Sequence, residues 1–399
     1  MRSTVYYGSI VHGQSAHFAS LAAKYEEMMT RLDLSTISKG DKVAVKMHLG
    51  FRDGFQTVPV FFVRRLVKRL KDVGAYPFVT DNPTAVYNAV DRGYTQETCG
   101  CPIIPVSGVK DGYRYETMIG YRTVDKMNMG GALHDADALI NLVHVKGHQT
   151  CGYGGAFKNL ALGGYCGEDR WHKIHGVEDS VPWYSPEKLT SGHAEKLEKA
   201  CPCGALRYDP EKRTLTNLWY ECMNGNCLEC IEADRDVGAL SLTQANFAAF
   251  QELMAVATGK ILETFSGDKV FHLGFLLDIT PQCDCPGLIS PPVVPDIGIV
   301  AGRDIVAVEQ AALDLVARAG LIPQMIPPYI KKTNLDPEAP LHPFQRLWGA
   351  WKDPYLVCGY GEKLGLGSRD YTLEEILPPE ETVNMQAPNR VFERQPTFY

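Results

Sequence analysis

The chain has 399 residues, 45% of them apolar, and a formal net charge of −7. That composition suits a globular protein in water, leaves no basic footprint for nucleic acid, and contains no apolar run as long as a membrane span. Twelve cysteines, several in metal-type spacings and none in a secretory context, favour thiolate ligands in a reducing, cytoplasmic compartment over a disulfide framework.

The opening MRSTVYYGSIVHGQ has no apolar h-region, so no signal peptide is expected. Residues 5–10 read as a first strand, and 19–32 carry helical spacing. Residues 42–49, KVAVKMHL, read as a strand that brings Lys46 and His48 to its end, where Gly50 turns the chain. Thr57 and Pro59 mark a helix start. Phe62, Leu66, Leu70 and Val73 line one face of that helix, basic residues line the other, and Gly74 stops it. Residues 76–80 form the next strand and finish in Asp81-Asn82-Pro83-Thr84. Residues 103–106 are a short strand or edge, and Cys99 and Cys101 read as structural.

Residues 138–164, ALINLVHVKGHQTCGYGGAFKNLALGG, begin as a buried strand of the kind covered on both faces of a parallel sheet. His144, Lys146 and His148 follow at alternating positions, which on an extended chain point the same way. The glycines at 152, 154 and 155 then open a helix carrying Lys158 and Asn159. Gly154 and Gly155 would let backbone N–H groups approach a ligand, and the helix start would favour an anion. The bland alternative is a glycine-rich turn with solvated lysines. Cys166, Arg170, His172, Lys173 and His175 follow in a basic loop that reads equally as an anion-facing wall or as solvated surface.

A cysteine-rich insert spans residues 193–236, between a first α/β part (1–192) and a second (237–399). It holds Cys201-Pro202-Cys203-Gly204-Ala205-Leu206 and, farther on, Cys222, Cys227 and Cys230. Ferredoxins hold a [4Fe–4S] cluster with three close cysteines and a remote one followed by proline. Here Cys222, Cys227 and Cys230 form the close set, Cys201 supplies the remote half, and Cys203 is a spare or substitute ligand. Asp234 stands where a second cluster would take its cysteine, so one cluster is expected. Zinc held by Cys201, Cys203, Cys227 and Cys230 is the rival.

The chain then returns to α/β. Leu242, Phe247, Phe250, Leu253 and Met254 mark an amphipathic helix, and residues 269–279 form a strand ending in Asp278-Ile279-Thr280-Pro281-Gln282-Cys283-Asp284-Cys285. Cys283 and Cys285 offer two soft donors around Asp284, a candidate second metal centre; two small buried residues beside a turn aspartate is the alternative. Asp296 precedes a strand at 297–301, and Asp304 caps a helix that Gly320 ends.

These motifs together resemble the domain-of-unknown-function family 362. The resemblance rests on Lys46-Met47-His48-Leu49-Gly50, Thr80-Asp81-Asn82-Pro83-Thr84, His144-Val145-Lys146-Gly147-His148 and Gly152-Tyr153-Gly154-Gly155-Ala156-Phe157-Lys158-Asn159-Leu160. The segments 278–285, 294–299 and 363–371 continue it. Proteins similar to this one often carry a ferredoxin-like insert, usually C-x2-C-x2-C-x3-C-P, from which this chain departs by a four-residue gap and by Asp234. The resemblance implies a fold and a cofactor class, not a substrate.

The expected architecture is α/β: a large mixed or parallel sheet flanked by helices, with a small ferredoxin-like subdomain inserted. Its strand ends would gather Lys46, His48, Asp81, His144, Lys146 and His148 as catalytic groups. Asn82, Lys158, Asn159, Gly154, Gly155, Asp284 and Asp296 would bind a small anionic substrate. The leading expectation is an iron–sulfur redox enzyme of reductase type, served by a redox partner protein, with the cluster near the site in the same chain or across a homodimer. The alternatives are a cluster-bearing electron carrier or accessory protein, and a metal-dependent hydrolase or lyase with a structural insert.

Overall fold

The computed structural model describes residues 2–288 and 290–385. Its strands begin with β1 (Ser3–Ser9), β2 (Lys42–Lys46), β3 (Tyr76–Asp81) and β4 (Ile103–Pro105). A hairpin of β5 (Arg114–Tyr121) and β6 (Val124–Gly130) leads to β7 (Ala138–His144), and the glycine-rich stretch folds as a second hairpin, β8 (Lys146–His148) with β9 (Gly152–Gly154). β10 (Leu206–Asp209) and β11 (Thr214–Asn217) pair inside the cysteine-rich segment. β12 (Val270–Leu276), β13 (Gly298–Gly302) and β14 (Tyr371–Glu375) complete the order.

Eight of these strands form one sheet in the order β14-β1-β13-β12-β7-β2-β3-β4. Every neighbouring pair is parallel except the two made by β13, which runs against β1 and β12. The α/β class with a large mixed sheet flanked by helices is therefore the fold of this chain.

β7 sits in the interior of the sheet and is buried along its whole length. Its residues alternate between two cores, as a pleat requires: Leu139 and Val143 face one, Ala138, Ile140 and Leu142 the other. The helices Leu21–Arg31 and Val60–Asp72 cover the second face, the latter with Phe62, Val63, Leu66, Val67 and Leu70 inward. The helices Ala156–Gly163, Gln244–Leu262 and Ile305–Ala319 cover the first. Asp304 caps the last of these by accepting from the N–H groups of Val306 and Ala307 at 2.9 and 3.0 Å. No described helix is long and apolar enough to cross a membrane.

Two expected strands end earlier than their apolar runs, for a common reason. β2 stops at Lys46 because the Leu49 N–H leaves the ladder for the Asp81 carboxylate, at 3.0 Å. β12 stops at Leu276, whose carbonyl takes the Ile297 N–H, and the Thr280 carbonyl beyond it takes that of Gly147, at 2.9 and 2.8 Å. Both strands give up sheet bonds to build the polar region described below.

The cysteine-rich segment folds as a helix (Ser191–Ala200), the β10–β11 hairpin and a short helix (Glu229–Asp234). Leu197, Leu206 and Leu215 pack with Trp183, Trp219 and Phe247 as its own small core. It docks on the later chain through the Asn226 amide, which donates to the Gln345 and Arg346 carbonyls at 3.2 and 2.9 Å.

Candidate functional site

β2, β3, β7 and β12 run in one direction, so their carboxyl ends meet at one edge, where open α/β sheets bind ligands. A cavity of about 860 Å³, counting its open mouth, lies there. Lys46 and His48 enter from β2, Asp81 and Asn82 from β3, and His144 and Lys146 from β7 and β8. Gly154, Gly155, Lys158 and Asn159 come from the glycine-rich turn and its helix, and Cys285 from the segment after β12.

Two buried carboxylates organise these groups. Asp81 accepts from the Lys46 ammonium at 3.0 Å, faces His48 Nδ1 at 2.8 Å and takes the Leu49 N–H. Burial raises its pKa, but the charges of Lys46 and His48 and the hydrogen bonds outweigh that and hold the carboxyl well below the usual range. Asn159 locks the arrangement: its Oδ1 accepts from Lys46 at 3.1 Å and its amide donates to Asn141 Oδ1 at 2.7 Å. Gly163 makes room for this, since a Cβ there would collide with the end of the Lys46 side chain. Asn82 caps the next helix through the Ala85 N–H at 3.0 Å while lining the cavity.

Asp284 is the second carboxylate. It pairs with Lys146 at 2.9 Å and with His144 Nδ1 at 3.2 Å. His144 Nε2 faces the Leu277 carbonyl at 3.0 Å. Both ring nitrogens thus meet oxygen acceptors, and His144 has no free nitrogen for a substrate proton.

Three expected site assignments are corrected by this geometry. His148 does not line the cavity. The chain bends between β7 and β8, and its Nδ1 accepts from the Thr150 N–H at 3.3 Å. Desolvation, followed by the charges of Lys158 and neighbouring groups, drives His148 well below its ordinary pKa. Asp296 is exposed and lies outside the cavity, where it accepts the Asp278 N–H at 2.7 Å as a turn residue. The start of the Ala156–Gly163 helix is closed to a substrate anion because Glu309 occupies it. The Glu309 carboxylate accepts from Ala156 N at 2.7 Å, Phe157 N at 3.2 Å and the Tyr153 hydroxyl at 2.8 Å. Gly155 is glycine for this contact: a Cβ would strike the Tyr153 hydroxyl and Glu309. Burial pushes the Glu309 carboxyl up to about 7 despite those bonds.

The cavity's open histidine is His175, stacked under the exposed Trp171 ring at 5.1 Å between centroids. Desolvation and then Lys158 lower its pKa to about 4. Arg170 lines the same wall. These three came from a loop whose sequence reads equally as surface; its only signal was the density of basic residues after the glycine cluster.

Cys285 opens onto the cavity with its sulfur 3.7 Å from both Lys158 Nζ and His48 Nε2. A hydrogen bond from Cys283, with the Lys158 and His48 charges, brings its pKa far below the ordinary thiol value against the opposing effect of burial. Burial lowers His48, but Cys285 and Asp81 outweigh it and raise it to about 9. Cys283 itself is buried and walls a separate small cavity with Gly54, Gln56 and Ser290.

In the cysteine-rich segment, Cys201, Cys203, Cys222, Cys227 and Cys230 all line one cavity of about 330 Å³. The Ala205 N–H points at the Cys201 sulfur, at 3.2 Å. Among the described residues, no group of three or more His, Cys, Asp or Glu side chains is arranged to hold a metal ion; the five thiols surround a space, not a single point. This all-sulfur donor set around one cavity fits a cluster. Asp234, which replaces the expected last cysteine, is a structural anchor: it faces His193 Nε2 at 2.7 Å and accepts the N–H groups of Ala239 and Leu240 at 3.0 and 2.6 Å.

Lys352 ties the two regions together. Fully buried, its ammonium donates to the Trp219 carbonyl at 2.9 Å on the cysteine-rich side and to the Gln149 carbonyl in the β8–β9 turn. Nothing in the local sequence around Lys352 announces this role.

The sequence model of a family described as "Domain of unknown function (DUF362)" matches residues 43–314. Comparison with curated proteins finds no match.

Proposed function

The chain belongs to the DUF362 family, and from the site itself we propose that it is an iron–sulfur redox enzyme of reductase type acting on a small anionic substrate. One observation carries the reading: five cysteines wall a single cavity, in a segment that Lys352 bonds to the hairpin beside the cation-rich pocket. A [4Fe–4S] cluster held by Cys201, Cys222, Cys227 and Cys230, with Cys203 as the fifth thiol, would supply single electrons there. The rest is work for the chain's own side chains. Lys158 and Arg170 hold the substrate's charge. His48 keeps a proton at Nε2, and Trp171 with His175 shields the cavity from water. Lys46 and Lys146, each tied to its carboxylate, keep the strand ends in position. A pocket of this size with convergent polar groups supports an enzyme over a simple carrier. Electrons would arrive from a redox partner protein in a reducing, cytoplasmic setting.

Anaerobic purification tests this. The protein should be brown, with about four irons and four sulfides per chain. Cys222→Ser, Cys227→Ser and Cys230→Ser should each bleach it. A colourless protein with stoichiometric zinc overturns the assignment and makes the insert structural.

A further inference from the structure

We propose that Cys285 is a nucleophile that adds to the carbonyl carbon of a small anionic oxo acid held in the cavity by Lys158 and Arg170. This deepens the reading of the cavity as an anion site and is independent of the cluster.

The argument begins with charge. Of the cavity's cations, Lys46 and Lys146 are taken by Asp81 and Asp284. Among the described residues, Lys158 and Arg170 form no ion pair with a carboxylate, and both face the same space as the Cys285 sulfur. The cavity therefore offers, beside the Cys285 sulfur, two positive charges that no described carboxylate neutralises. The type of anion follows from what is missing. Phosphoryl groups favour backbone N–H groups at a helix start, and here Glu309 has already filled that position. A carboxylate, which two side-chain cations satisfy, is the better match. Val143, Leu162 and Phe51 supply an apolar wall for a short carbon skeleton.

The step needs no outside oxidant or reductant. The Cys285 sulfur reacts as the thiolate, paired with protonated His48; it donates an electron pair to the carbonyl carbon, and the S–C bond forms as the C=O π bond opens. The π pair moves to oxygen, which takes the proton from His48 Nε2. His48 lies 3.7 Å from the sulfur and is steadied at Nδ1 by Asp81. The product is a hemithioacetal whose carboxylate stays on Lys158 and Arg170.

The test uses the intact, anaerobically purified protein and two alkylating reagents of nearly equal size, anionic iodoacetate and neutral iodoacetamide. Labelling of each cysteine is followed by mass spectrometry. Cys285 should be the first thiol modified, with iodoacetate favoured over iodoacetamide by about tenfold relative to the same peptide in the unfolded chain. Lys158→Met should abolish that preference and Lys158→Arg should retain it. Arg170→Gln, on a half-buried residue of the short helix Arg170–Ile174, should weaken the preference without touching the core. Millimolar glyoxylate, a two-carbon oxo acid, should slow Cys285 labelling; acetate, which lacks the carbonyl, should not match it. An iodoacetate-to-iodoacetamide rate ratio in the folded protein no higher than that of the same peptide in the unfolded chain, or labelling indifferent to glyoxylate, would overturn the proposal. So would a metal ion found blocking Cys285. Iron and sulfide measured on the same samples keep the outcomes apart: loss of the cluster with Cys285 behaviour intact refutes the redox assignment alone, and the converse refutes the nucleophile alone.

Discussion

Replacing Asp81 by asparagine should destabilise the protein by about 3–5 kcal/mol, the usual cost of orphaning one member of a buried ion pair. The structure says why the cost is high. Lys46 and Asp81 are each 1% exposed at the side chain, and the ammonium's other acceptors are neutral oxygens of Met47 and Asn159, both at 3.1 Å. Asparagine keeps the volume and one acceptor oxygen but removes the counter-charge. A ceiling follows from the alternative open to the variant, which is to release the lysine proton. Taking that proton from an ordinary lysine at pH 7 costs about 4–5 kcal/mol, and at pH 9 only about 2 kcal/mol. The penalty of D81N should therefore shrink as pH rises from 7 to 9. The sign is consistent with linkage: the unfolded chain binds the Lys46 proton and the folded variant does not, so stability rises with pH in that window. At the acid end the wild type loses the Asp81 contribution as pH falls below the unfolded carboxylate range, because its folded pKa is depressed; D81N lacks that loss. Urea unfolding, read by fluorescence of the buried tryptophans, measures both effects. Adding Lys46→Met to D81N should recover most of the deficit. A penalty below about 1 kcal/mol at pH 7, or a double variant no more stable than D81N, would refute the orphaned-charge argument.

Glu309→Gln should cost about 1–2 kcal/mol, because it weakens the cap on the Ala156–Gly163 helix. The Glu309 pKa rises on folding from 4.5 to about 7, so the folded wild type binds more protons and loses stability as pH climbs through that window; the variant should not, and thermal melts at pH 5 and pH 7 compare the two slopes. Asp304→Ala removes a cap that also receives the Ser3 hydroxyl and the Ser368 N–H, and should cost about 1–2 kcal/mol in the same melts. His48, raised to about 9, contributes stability that is complete below 6.5 and lost as pH rises through 9. Binding of glyoxylate, followed by protection of Cys285, should weaken over the same upper range and be flat there in His48→Gln.

Local sequence was enough for the parts of this protein that depend on local chemistry. The apolar run of β7, broken only by Asn141, marked a strand covered on both faces, and the spacing of Phe62, Leu66 and Leu70 marked the inward face of the Val60–Asp72 helix, whereas Val73, expected with them, lies past the helix end and is exposed. Lys46, Asp81, Asn159 and Lys158 could be expected at one edge because each follows a strand or opens a helix, and parallel strands bring such ends together. The Asp304 cap and the Gly320 stop were likewise written into neighbouring residues.

What tertiary structure alone decided concerns partners distant in the chain. β13 runs antiparallel, and the exposed β14 joins β1, through pairings that no hydrophobic period encodes. The glycine-rich turn reads as an anion cradle, yet Glu309, more than 150 residues later, fills it. His148 shares its period with His144 and Lys146, but period fixes direction only while the strand stays straight, and this chain bends between β7 and β8. Asp284 took His144 and Lys146, Asp81 took Lys46 and His48, and among the described residues Lys158 and Arg170 were left without a carboxylate partner. That division of charge follows from which oppositely charged groups the folded sheet edge brings within hydrogen-bond distance, and the order of residues along the chain does not contain it.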